Sequence, residues 1–163
     1  MNGTTDLFDG APAASLILAA FAGISLWGFS RPLWVQRLML RPHGLVQRGD
    51  YLTLLSCGFV HADLAHLLFN GFTFWAFGFG LERALGSAAF VLLYALGLVV
   101  SSGATWWLHR RQPGYASLGA SGAILAVLFA SIIAFPHASL MILPIPVPIP
   151  APVFALGYVG FSV

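Results

Sequence analysis

Charge is missing from this chain over lengths that match the thickness of a bilayer. Ala11 to Phe29 and Ala84 to Leu108 contain no Asp, Glu, Lys, Arg or His, and the apolar runs Leu64 to Leu81 and Leu118 to Phe135 carry one ionisable side chain between them, His66. An α-helix rises about 1.5 Å per residue and the hydrocarbon layer is about 30 Å thick, so roughly 20 such residues cross it. A fifth apolar piece starts near Pro152 and reaches Val163. Only 7% of the 163 residues are charged, against about 25% in a soluble domain. Too little polar surface remains to cover a water-soluble globule. The pattern predicts an all-α membrane protein: one polytopic helical bundle over residues 1–163, with four full spans and a partial fifth.

The connections carry most of the charge. Arg31 to Val60 holds four arginines and Trp34 among apolar residues, which predicts a partly helical loop at the interface, its arginines snorkelling and its aromatics anchoring. Leu81-Glu82-Arg83 reads as a tight polar turn. Pro144, Pro146, Pro148, Pro150 and Pro152 alternate with apolar residues, which excludes helix and predicts an extended, polyproline-like connector. A net charge of +2 with no lysine gives no support to a nucleic-acid partner. The single cysteine, Cys57, excludes an intrachain disulfide, and the first residues lack the basic region of a signal peptide.

Polar groups at membrane depth are costly and read as functional by default. His66 and Asn70 lie about 40° apart around a helix, one turn from each other, so both can donate toward one point. Either residue alone could be interhelical glue. His61 falls about 140° from His66 if the helix extends that far, which disfavours a His61/Asp63/His66 metal site. Ser121 lies within Gly119-Ala120-Ser121-Gly122 at the start of an apolar run. A serine in a first helical turn has unpaired backbone N–H groups beside it and the positive end of the helix dipole behind it. Those are the donors an oxyanion needs; alone, the same segment reads as an N-cap with small-residue packing. It is one residue short of the GxSxG elbow of soluble hydrolases. Successive spans alternate in direction, so the helices carrying His66 and Ser121 start on one membrane side. Together the three residues supply a nucleophile and its oxyanion donors.

The segment from Gly58 to Asn70, with its HxxxxHxxxN pattern at His61, His66 and Asn70, resembles the rhomboid family of intramembrane serine proteases. So do Phe77-Gly78, Leu81-Glu82-Arg83 with Gly86, and the GxSG at Gly119 to Gly122. The likeness covers roughly Leu45 to the C-terminus. It implies that Ser121 is the nucleophile, that His66 and Asn70 hold the oxyanion with the Ser121 N–H, and that Gly119 shapes the nucleophile turn. Glu82 would be structural, closing the end of the second span, with Gly122 and His61 also structural. The resemblance implies transmembrane protein substrates, a lipid bilayer as surroundings, no metal and no cofactor. It also implies a multi-pass protein of a bacterial inner membrane, N-terminus in the cytoplasm and site opening outward. The arginines after the first and third spans run against that orientation under the positive-inside tendency.

The sequence departs from the family in two places. Asp50-Tyr51-Leu52-Thr53 stands where a Trp-Arg pair is common. The family's general base is a histidine in a sixth span, and the chain stops in the fifth, which predicts a C-terminally truncated rhomboid with little activity of its own. His137 follows Ser121 by sixteen residues, about 24 Å along a helix, too far for a base. His109 sits in the loop before the fourth span with nothing to orient it. The rival from another class is a proteolytically inactive rhomboid-like protein that binds transmembrane clients. A channel or transporter would show paired charges or broken helices at mid-membrane, and the sequence has neither.

Overall fold

A computed structural model describes residues 10–137, 139–142 and 145–162. The N-terminal residues 1–9 read for a signal peptide, Pro144 of the proline run and the terminal Val163 lie outside them. Helix α1 (Pro12–Phe29) begins with a proline at its first position, where a missing N–H costs nothing. The Arg31 to Val60 connection folds into three short helices, α2 (Pro32–Leu38), α3 (Leu45–Arg48) and α4 (Thr53–Ser56), followed by a 3₁₀ turn over Cys57–Phe59. Helices α5 (Leu64–Leu85) and α6 (Ser87–His109) form a tight antiparallel pair about Gly86. Then come α7 (Ser121–Ala134), strands β1 (Ser139–Ile142) and β2 (Ile145–Pro150), and α8 (Ala151–Ser162).

Helices α1, α5 and α6 are long and apolar enough to cross a membrane. Helix α7, read as a full span over Leu118 to Phe135, has 14 residues, about 21 Å of helix. Its start moves to Ser121 because Gly119 has φ +116°, which no helix admits. Helix α7 is the centre of the bundle. Ala123, Ile124, Val127 and Leu128 are fully buried against α5 and α6. Outward faces are equally apolar: Leu16, Leu92, Val100 and Ile133 are all more than half exposed. Such a surface is stable only against lipid, and the chain is a multi-pass integral membrane protein.

Two sequence expectations are corrected here. Leu81-Glu82-Arg83 is not a turn but the last helical turn of α5, the reversal falling at Gly86. A carboxylate is tolerated there because Glu82 is fully used: it accepts from the N–H groups of Ala13 (3.0 Å) and Ala14 (2.6 Å) and from Ser87 Oγ (2.6 Å). It therefore closes the N-terminus of α1, where the helix dipole favours an anion, and ties three helices together at one end. The fold is also not purely helical. The proline run is extended as expected from Pro146 to Pro150, whereas Pro152 falls in the first turn of helix α8, where a proline's missing N–H costs nothing; β2 pairs with β1 in an antiparallel hairpin, Leu140 opposite Ile149 and Ile142 opposite Ile145. Alternate residues of a strand present their N–H groups to the same edge, so prolines at every second position leave one edge able to pair and the other without donors.

Close approach of α6 and α7 depends on small residues. A Cβ on Gly122 would overlap the Ser101 side chain, and one on Gly97 would lie 2.6 Å from Ala126 Cβ. Backbones come this near only over such a small-residue seam.

Candidate active site

Helices α5 and α7 start at the same end of the bundle, and their N-termini meet. Asp63 caps α5, its Oδ1 accepting from the His66 N–H at 2.8 Å. This fixes the first turn that carries His66, with Asn70 one turn further in. Gly119 passes directly over both: an added Cβ would stand 2.7 Å from His66 Cε1 and 3.8 Å from Asn70 Nδ2. Only glycine fits there, on steric grounds as well as for its positive φ. The next turn delivers Ser121 as the first residue of α7. Ser121, His66 and Asn70 line one cavity of about 350 Å³ together with Asp63, Ala65, Ser117 and Leu118.

Asn70 is buried, and its two amide atoms have different surroundings. Oδ1 accepts from the Tyr158 hydroxyl of α8 at 2.6 Å. Nδ2 has no hydrogen-bond partner among the described residues. A buried donor without a partner is rare and costs about 1–3 kcal/mol; one at the wall of a polar cavity is suited to an acceptor that arrives with a ligand. Tyr158 is held in turn by stacking on Phe69, ring centroids 5.2 Å apart.

His61 stands differently from the sequence expectation. It precedes α5 rather than extending it, so the helical angle to His66 does not apply, and the two rings meet edge to face at 5.0 Å. The Ala120 N–H points at Nε2 (3.5 Å), which makes Nε2 the acceptor and Nδ1 the protonated nitrogen. Nδ1–H donates to Ser25 Oγ (2.8 Å), and Ser25 donates to the Phe59 carbonyl (3.2 Å). Burial, then the neighbouring His66, pushes the His61 pKa down to about 4, with Asp63 opposing. The ring is thus neutral at pH 7, a strut between α1 and the loop that bears Ser121. Gly119 N–H donates to the Cys57 carbonyl (2.9 Å) and braces the same loop.

His109 is oriented after all. It ends α6, stacks on Tyr115 with centroids 3.6 Å apart and reaches Gln112 Oε1 with Nδ1 at 2.9 Å. It does not line the Ser121 cavity. His137 lies beyond the far end of α7. Tyr158 and Ser25 are the residues that sequence reasoning missed. Each is a common polar residue in an apolar helix, with its partner 88 and 36 positions away.

These features define a class: a polytopic helical membrane protein whose serine-lined polar cavity lies where two helix N-termini converge. Residues 48–163 match the rhomboid domain, and the chain belongs to the rhomboid family. It is 34% identical over 121 residues to the putative rhomboid protease YdcA of Bacillus subtilis, covering 71% of this chain and 59% of the relative. It is 34% identical over 94 residues to the rhomboid protease GlpG of Haemophilus influenzae, 58% of this chain and 47% of the relative. It is also 34% identical over 110 residues to the mitochondrial rhomboid protein 1 of Saccharomyces cerevisiae, 63% of this chain and 32% of the relative. In these matches the chain spans between about a third and three-fifths of its relatives' length.

Proposed function

We propose that this chain carries the nucleophile, Ser121, and the oxyanion donors of an intramembrane serine endopeptidase acting on transmembrane proteins. The observation that carries the reading is the cavity shared by Ser121, His66 and Asn70, with the Asn70 Nδ2 donor buried and unpaired at its wall. In the proposed reaction a substrate segment unwinds at the cavity and presents its scissile carbonyl. Ser121 Oγ bonds to the carbonyl carbon, and its proton passes through a cavity water to the amide nitrogen, which leaves as the neutral amine when the C–N bond breaks. The oxyanion accepts from Asn70 Nδ2, His66 and the Ser121 N–H, whose place in the first turn of α7 leaves it without a helical carbonyl. Collapse expels the amine, and water hydrolyses the ester. None of these steps calls for a metal or cofactor. Gly119 and Gly122 have the supporting role of letting loop and helix come close enough. His61, with both ring nitrogens engaged, and His109, held by Gln112 and Tyr115, are assigned no proton transfer.

The test uses the intact protein in liposomes with a transmembrane substrate. Cleavage that disappears in Ser121→Ala, with fluorophosphonate labelling of Ser121, is the expected result. Cleavage unchanged in Ser121→Ala would overturn the assignment. Substrate capture without cleavage would instead favour the inactive, client-binding rhomboid-like reading.

A further inference from the structure

A second cavity, of about 620 Å³, opens at the same end of the bundle and shares no lining residue with that of Ser121. Its walls include His43, Leu45 and Arg48 from the α2–α4 connection and Trp106, Arg110 and Arg111 from the end of α6. The two sides are locked together. Leu40 and Ser117 exchange backbone hydrogen bonds at 2.9 Å, and His43 Nδ1–H donates to the Arg110 carbonyl at 3.2 Å. Arg48 is spent on the loop itself, reaching Asp50 Oδ2 (2.6 Å) and the carbonyls of His43 (2.8 Å) and Arg41 (3.0 Å). Arg110 and Arg111 are different. Neither has a carboxylate partner among the described residues, and the Arg110 guanidinium rests on the Trp107 face at 5.2 Å.

We propose that this pocket binds the phosphate of an anionic phospholipid headgroup through Arg110 and Arg111. Guanidinium forks match phosphate oxygens, and basic pockets between membrane helices at a headgroup layer suit such lipids. A free phosphate ion would satisfy the same donors, but the rim argues for a lipid. Trp107, Leu108 and Val46 beside the pocket are each more than half exposed, and acyl chains would cover what an ion cannot. Six of the seven arginines lie in the connections at this end, so the local field favours an anionic leaflet. The inference stands apart from the proteolytic reading, since nothing in it uses Ser121.

The experiment is equilibrium binding of short-chain phosphatidylglycerol to the purified protein in neutral detergent, read by native mass spectrometry. Phosphatidylcholine and inorganic phosphate are the comparison ligands. Arg110→Gln/Arg111→Gln is expected to weaken phosphatidylglycerol binding roughly 10- to 30-fold. Arg110→Lys/Arg111→Lys should retain most of the affinity. Arg31→Gln/Arg37→Gln removes equal charge elsewhere on the same end and should leave binding within about threefold. Equal affinity for phosphatidylcholine, or equal weakening in the Arg31/Arg37 pair, would overturn the site. Displacement by inorganic phosphate at equal concentration would overturn the lipid as its source.

Discussion

Asn70 accepts on one side and offers an unused donor on the other, and Tyr158 determines which side is which. With Oδ1 taken by the Tyr158 hydroxyl at 2.6 Å, Nδ2 is left for the cavity. Asn70→Ala is therefore expected to lower kcat on the order of 10²-fold with little change in KM. Tyr158→Phe keeps the stack on Phe69 and loses only the hydroxyl, so a smaller loss of about 3- to 10-fold is expected. The decisive measurement is the double variant. If Tyr158 acts through Asn70, Tyr158→Phe costs nothing further in an Asn70→Ala background; additive losses would make Tyr158 merely a packing residue. The contrast with Tyr158 explains what was legible at this scale. His66, Asn70 and Ser121 stand out because a polar group in an apolar run has few cheap explanations. A tyrosine at an apolar helix position has many, and its partner is 88 residues away.

Helix existence was readable from the uncharged runs, but helix ends were not, because they depend on partners distant in sequence. Glu82 sits inside α5 only because α1 supplies two N–H groups and α6 a hydroxyl. Glu82→Ala leaves the Ala14 N–H buried with no acceptor, and a destabilisation of about 2–4 kcal/mol is expected by thermal unfolding in detergent. The seam between α6 and α7 gives a second expectation. Gly122→Ala places a methyl group on Ser101 and should cost about 1–3 kcal/mol by overpacking. Ser101→Gly removes the obstructing atoms and should restore much of that loss, whereas Ser101→Ala, which keeps its Cβ, should not. Failure of Ser101→Gly to rescue would mean the helices separate for another reason. The proline run shows the converse limit of sequence reading. Its period of two announces an extended chain, but only the presence of β1 turns it into a hairpin.

For the molecule as a whole, the four His61 contacts, with Phe21 and Ser25 of α1, His66 at the start of α5 and Ala120 in the loop entering α7, link three parts of the fold. The HxxxxHxxxN spacing flagged this ring; the role came only with the tertiary fold, since Ser25 and Ala120 are remote in sequence. The link is pH-sensitive in one direction. His61 titrates near 4 in the folded protein and near its ordinary 6.5 when unfolded, so between those values the unfolded chain binds more protons. Stability is therefore full above about pH 6.5 and declines as pH falls toward 4, by on the order of 3 kcal/mol, with no further loss from this group below that. Below pH 4 the proton arrives on Nε2, the nitrogen that faces the Ala120 N–H. Two hydrogens then oppose each other beside Ser121, and the loop entering α7 loses its strut. Thermal unfolding in detergent at steps from pH 7.5 to 4 should show this decline, with His61→Gln flattening the profile. Because the affected contact adjoins Ser121, cleavage activity is expected to hold through the window in which stability declines and to fall only near and below pH 4, where the folded protein takes up the proton. A decline of equal steepness in His61→Gln would move the titrating group elsewhere and remove His61 from this role.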